Sequence, residues 1–310
     1  MKIQSPYPIN DEVFNDLKKI LEEYTIIESV EIHENDPSKK IYLGEKDNRT
    51  CRFCQKKHPQ TSFKNVSHTV PEFLSNKSLL SYYECDVCNN YFSIFDSEFA
   101  RILLPFNTFS STKNKKNKTP KFNNGLEIFE DVNNIINIKN LPDNIISDPK
   151  NIEFELETPT YIPNYVYRSL IKIGISVIGN DKINNYQSVI AWLMSLTSDA
   201  LTESSMIFSL FPFDRPTNKI RCIVLERKVN VSRNIPKTLM SLSYKNFSFQ
   251  TFFPLHISEN FETFFPHPHI LPTPLDLYKE FKDEKKMSLI NLDGKIKEKG
   301  EEFKFSIKSI

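Results

Sequence analysis

An α+β fold is what this 310-residue sequence predicts, on three observations. Two Cys-x-x-Cys hooks, Cys51/Cys54 and Cys85/Cys88, are separated by 30 residues that read as strands, and a helical stripe starts at the second hook. Farther along, helical stripes come first and strand-like runs follow them, instead of the regular alternation of a parallel α/β protein. Hydrophobic residues make up 39% and charged residues 25%, while glycine is scarce (6) and phenylalanine abundant (25), which favours packed elements over flexible linkers.

The elements follow in order. Val13, Phe14, Leu17, Ile20 and Leu21 recur at helical spacing, giving an amphipathic helix over 11–24, and alternation over 27–33 gives a strand. Within the cysteine block, Val66, His68 and Val70 alternate along an extended segment that Pro71 ends, and 79–84 reads as a second strand. From Asp86 onward, Val87, Tyr91, Ile94, Phe95 and Ile102 mark one face of a helix that ends near Pro105 and has Cys88 and Asn89 in its first turn. A polar loop over 108–121 carries Lys113, Lys115, Lys116 and Lys118; it reads either as a solvated loop or as an arm that contacts phosphates. Short strands at 126–129 and 152–157 are separated by Asn- and Pro-rich turns. Val166, Leu170, Ile173 and Val177 form another helical stripe, as do Tyr186, Ile190 and Leu193. Strands at 206–211, 220–226, 239–244 and 247–256 come next, and 288–310 reads as a terminal hairpin turning at Asp293-Gly294. Three units are expected: an extension over 1–40, the cysteine-bearing unit over 41–125, and an α+β domain over 126–310.

A net charge of +1 gives no global basic field, so any nucleic-acid surface must be local. No apolar run approaches the ~20 residues that cross a bilayer, and the first residues have no signal-peptide pattern, so the expected location is the cytoplasm, with no membrane partner. In a reducing compartment, paired hooks read as metal ligands and not as disulfides. Four thiolates, from Cys51, Cys54, Cys85 and Cys88, are the donor set of a closed tetrahedral zinc site whose role is structural. His58 could stand in for a cysteine, but four thiolates already complete the tetrahedron. Cys222, in an apolar run, reads as a buried residue, and His267 and His269, among prolines, read as loop.

The 30-residue insert exceeds the usual spacing of a zinc ribbon and has room for a hairpin crossing in front of the metal-anchored helix. That crossing would bring His68, at a strand end, to face Asn89, at the helix start, so that the two flank a divalent cation and a phosphate.

Cys51-x-x-Cys54, the run Ser67-His68-Thr69-Val70-Pro71-Glu72, and Cys85-x-x-Cys88-Asn89 together resemble the HNH endonucleases, and within them the branch whose ββα-metal finger is braced by a four-cysteine zinc. Tyr161-Ile162-Pro163 and 166–172 are similar to stand-alone bacterial HNH proteins. The resemblance implies a zinc-braced HNH finger and phosphodiester hydrolysis with one catalytic Mg²⁺ or Mn²⁺. His68 matches the general base, since a neutral imidazole accepts a proton at cellular pH without special tuning. Asn89 matches a ligand of the catalytic cation, its amide oxygen being a hard donor. Nucleic acid, DNA before RNA, is the implied substrate; a defence or restriction-type role, with a second copy or a defence-system protein as partner, follows by analogy.

The family often has a carboxylate where this chain has Ser67. Glu72 could supply the missing charge; Asp96 shares a helix face with Asn89 but stands about 10 Å along the axis, too far to hold the same ion. Ser67 therefore leaves a second reading open, a zinc-containing nucleic-acid-binding or interaction protein whose nuclease centre has lapsed.

Overall fold

The computed structural model describes residues 11–34, 36, 38–114, 116, 118–124, 126–131, 133, 135–140, 151–197, 204–211, 217–231, 235–254, 271–273, 276 and 285–308. The chain is α+β. Helix α1 (Asp11–Glu23) runs into strand β1 (Tyr24–His33) without a loop. Three short strands, β2 (Ile41–Leu43), β3 (Ser67–His68) and β4 (Leu79–Ser81), then lead to α2 (Asp86–Ile102) and α3 (Leu104–Phe109). The meander β5 (Phe122–Asn124), β6 (Leu126–Glu130) and β7 (Ile136–Lys139) follows, then β8 (Asn151–Glu157), α4 (Pro163–Val177) and α5 (Gln187–Leu193). The last strands are β9 (Ser205–Leu210), β10 (Lys219–Arg227), β11 (Thr238–Tyr244), β12 (Phe247–Phe252), β13 (Lys286–Asn291) and β14 (Glu302–Lys308).

An antiparallel sheet in the order β1-β10-β11-β12-β9-β13 is the backbone of the molecule. Its central strands β11 and β12 are buried on both faces, so they read as continuous apolar or small-residue runs and not as alternating ones. Helix α4 is buried along its whole length, because it lies between this sheet and α2. Gly174 makes the close approach possible: a Cβ there would stand 2.6 Å from the Phe253 ring and 2.8 Å from the Met240 sulfur. Among the described residues, no helix is long and apolar enough to cross a membrane.

Two expectations are corrected. The chain does not close on a terminal hairpin: β13 joins β9 at the edge of the large sheet, whereas β14 pairs with β8 in a separate two-stranded sheet. Asp293 and Gly294 serve another purpose, the Asp293 carboxylate accepting from Ser204 N (2.7 Å) and the Gly294 carbonyl from Asn164 N (2.8 Å) in the first turn of α4. The reason is burial: Phe303 and Phe305 of β14 pack with Phe106 and Phe154, contacts a local hairpin could not make.

The three expected units are also not separate bodies. Strand β1, from the N-terminal extension, is an edge strand of the C-terminal sheet. The 125/126 boundary falls inside the β5–β6 pairing, and one hydrophobic core runs from Ile32 through the cysteine block to Phe305.

Candidate metal centre and adjoining pocket

The four hook cysteines converge. Their sulfurs all lie within 4.8 Å of one another, and Cys54 and Cys85 Sγ are 3.7 Å apart. A tetrahedron with metal–sulfur bonds of about 2.3 Å has edges of about 3.8 Å, so the donor set and its spacing fit a zinc ion. The first hook turns through Gln55, in the left-handed region at φ 60°, with Gln55 N donating to Cys51 O (2.9 Å). The second hook is the start of α2, where Asn89 N donates to Cys85 O (2.9 Å). Between the thiols, a hydrogen bond from Cys88 lowers the Cys51 pKa to about 5, while the same bond and then burial raise that of Cys88. So many sulfurs at close quarters cannot all ionise without a cation among them. His58 is not part of the cluster. Cys222 is buried on β10, its thiol pushed up to about 12 by burial, as expected of an inert core cysteine.

The insert between the hooks forms the strand pair, shorter than the sequence suggests: β3 is two residues, with His68 opposite Leu80 on β4. Two polar residues hold it. The buried Asn76 donates to Val70 O (2.6 Å) and Leu79 O (2.9 Å) and accepts from Leu79 N (2.8 Å), closing the connection between the strands. Asp86, in the first turn of α2, accepts from the Ser62 hydroxyl and from the backbone N–H groups of Lys64 (3.0 Å) and Asn65 (2.9 Å). Burial pushes Asp86 upward, but those hydrogen bonds outweigh it and hold the carboxyl below its ordinary range. The segment before β3 is thereby tied to the same helical turn that carries Asn89.

His68 and Asn89 consequently line one pocket of about 570 Å³, together with Glu72, Ser93, Asp96 and Asn114. His68 Nε2 is 3.6 Å from Glu72 Oε1, and their side chains are 28% and 30% exposed, so water and a substrate can reach both. Ser67 borders the same pocket but is buried, and its hydroxyl donates to Ser81 O (3.3 Å). The lysine loop reaches this pocket through Asn114, whose Oδ1 accepts from Lys116 N (2.9 Å) and Lys118 N (3.1 Å). Lys113 Nζ donates to Thr119 Oγ1 (3.0 Å). Lys115, His267 and His269 lie outside the described residues.

Behind the pocket is a cluster that sequence reasoning missed. Lys172, on α4, is 2% exposed, lies 3.1 Å from the buried Glu84 and reaches His68 O at 3.4 Å. Neither Glu84 oxygen gains a well-aligned hydrogen bond, so the pair is held chiefly by charge. Asp96 completes the cluster, accepting from Ser169 Oγ (2.6 Å). Burial raises the pKa of Glu84 and Asp96 against the pull of Lys172; burial lowers that of Lys172, but the two carboxylates more than reverse it and carry the ammonium above its ordinary value. Ser67 adjoins Glu84, so an aspartate at position 67 would crowd a third carboxylate into this cluster. The available signal was Arg168 and Lys172, four apart and the only charged residues on this helix.

Helix α4 is also tied at both ends. Glu98 of α2 accepts from Ile162 N (2.9 Å) at its start. Arg52, between the first two cysteines, donates to Ile175 O and Ile178 O (both 2.7 Å) at its end.

Lys172→Met is expected to lower stability by about 3–5 kcal/mol, because it leaves two buried carboxylates without their cation. Groups whose folded-state pKa is raised favour folding below the unfolded value and lose that contribution as pH rises through the folded one. The deficit of Lys172→Met, read from urea unfolding, should therefore shrink as pH falls toward the carboxylate range. An equal deficit at every pH would mean that lost packing, and not charge, is the cause.

Compared with known proteins, the chain matches no family model, no curated protein and no solved structure.

Proposed function

We propose that the protein is a metal-dependent endonuclease of the HNH kind, cutting phosphodiester bonds in nucleic acid, DNA before RNA. One observation carries the reading: His68 and Asn89, from a strand end and a helix start, open on the same pocket beside the four-cysteine cluster. His68 takes the proton of the attacking water. Asn89 offers an amide oxygen to a Mg²⁺ or Mn²⁺ ion, which when bound offsets charge on the phosphate and the leaving oxygen. Glu72, on the same pocket wall as His68, is the carboxylate that replaces the one missing at Ser67. The zinc is structural, its four sulfurs leaving no position for water.

Local charge supports a polyanionic substrate. Residues 39–66 hold eight Lys and Arg against two Asp and Glu, and residues 110–121 hold five Lys and no acid, in a chain whose total is only +1. The buried Ser67 favours a second reading, binding without cleavage.

Supercoiled plasmid is the test. Nicking is expected with added Mg²⁺ or Mn²⁺ and not without, and Asn89→Ala should raise the cation concentration needed about 10-fold or more. A variant needing no more metal than the wild type removes Asn89 from the site. Plasmid binding with no cleavage under either cation selects the second reading.

A further inference from the structure

Two segments of the His68 pocket, the turn with Glu72 and Phe73 and the loop that leads to Asn114, are both tied to one buried residue, Asn107 of α3. We infer that Asn107 is a positioning residue for the cation site: it fixes Glu72 in the pocket and is itself fixed by Tyr244 of the large sheet. The role of Glu72 is taken from the nuclease reading; the tie is argued from the hydrogen bonds.

The Asn107 side chain donates from Nδ2 to Phe73 O (3.1 Å), and its Oδ1 accepts from the Tyr244 hydroxyl (2.6 Å). Its direction is set by chemistry. A carbonyl only accepts, so the amide nitrogen must face Phe73, and the amide oxygen then needs a donor. Tyr244 is that donor, because burial holds its phenol well above the ordinary range and the proton stays on. An aspartate at 107 would set a lone pair against the Phe73 carbonyl, and a leucine would leave both partners unpaired inside the protein.

Pinning one carbonyl fixes Glu72 because the turn moves as a unit. Glu72–Leu74 is a single 3₁₀ turn, in which Leu74 N donates to Pro71 O (3.1 Å) and Ser75 N to Glu72 O (2.9 Å). Pro71 stiffens its entry, and the Phe73 ring packs on Phe99 with centroids 5.5 Å apart. The aromatic contact keeps the turn docked; the hydrogen bond sets its rotation, and with it the direction of the Glu72 carboxylate. Asn107 O accepts from Thr112 N (2.8 Å), closing the bend at Ser111 (φ 51°) just before Asn114.

The tie gives the large sheet a part in the site. Tyr244 ends β11, and the next residue, Lys245, donates to Ser110 O (3.0 Å) while pairing with Glu34 (3.3 Å). The turn between β11 and β12 thus grips the end of α3 twice, although neither Tyr244 nor Lys245 lines the pocket.

Manganese binding to the full-length, zinc-loaded protein, read from the electron paramagnetic resonance of the free ion, tests this. Tyr244→Phe should weaken binding about 10- to 100-fold, the range for a group that orients a metal ligand, with zinc content unchanged. In a Glu72→Gln background, where the affinity is already lowered, Tyr244→Phe should add no further loss, because it acts only through that carboxylate. A merely structural bond would lower the melting temperature and leave both affinities alone. Where Tyr244→Phe does not fold, Asn107→Leu/Tyr244→Phe, which leaves neither side chain polar, takes its place with the same expected loss. Plasmid nicking by Tyr244→Phe should need about 10-fold more Mn²⁺ and regain most of the wild-type rate at saturation. Unchanged Mn²⁺ affinity in Tyr244→Phe, an equal further loss in the Glu72→Gln background, or a wild-type affinity that Glu72→Gln does not lower each overturn the inference. Nicking whose metal requirement ignores Tyr244 sinks this inference and leaves the nuclease standing; Mn²⁺ binding that depends on Tyr244 and Glu72, with no nicking, does the reverse.

Discussion

Cys85→Ser is expected to abolish zinc binding by the four-cysteine cluster and to unfold the block from 51 to 104. Cys85 is fully buried, immediately precedes α2, and its sulfur forms one edge of the cluster with Cys54. A structural zinc contributes about 10–16 kcal/mol in small fingers, and the strands beside this cysteine cluster are only two or three residues long. Such strands cannot persist on their own hydrogen bonds. Not all of the metal's free energy need be lost, because α2 also packs on α4 through Glu98 and Asp96. The variant should lose its zinc and melt at lower temperature, and hydrogen exchange should accelerate over 51–104 more than over β11 and β12. Retained protection across 51–104 in a zinc-free variant would show that packing alone holds the block.

On the nuclease reading proposed above, His68→Ala is expected to reduce cleavage by about 10²- to 10⁴-fold, the usual contribution of a positioned general base. Zinc content and melting temperature should stay close to wild type, since the imidazole is 28% exposed and its strand is held through the backbone, by the Leu80 pairing and by Lys172 on the carbonyl. In cells, an active nuclease of the restriction type should slow growth on overexpression, and His68→Ala should relieve it. A purified His68→Ala protein that cuts as fast as wild type assigns the chemistry to another residue. Glu72→Gln separates the roles further: a carboxylate that helps hold the cation should be partly rescued by more metal, whereas one that only orients the imidazole should not.

Much of this molecule is legible along the chain because the forces are local. The period of apolar residues gives α1, α2 and α4 to within a few residues, and the strands from β9 to β12 follow from β-rich runs bounded by turns. The cysteine cluster is legible too, since Cys-x-x-Cys spacing is itself the geometry of a chelate. The loop after α3 is legible in place but not in direction: only the fold puts Asn114 on the His68 pocket.

What the chain could not disclose depends on partners distant in sequence. β13 and β14 look like a hairpin because both are strands near an Asp-Gly pair, yet β13 finds its neighbour 76 to 86 residues upstream and β14 finds its own 145 to 157 residues upstream, where an edge and an aromatic cluster await them. Lys172 lies 88 residues from Glu84 and 76 from Asp96, and charges meeting across such distances leave no periodic trace. Arg52 looks like a variable position inside a hook until α4 ends against it. By itself the sequence determined that four sulfurs would gather and that a histidine and an asparagine would stand near them, because hook spacing and helix period act within a few turns. Only the tertiary structure decided that α4 is the spine to which that block is tied, because burying two carboxylates, a lysine and an arginine requires every element around them to be in place at once.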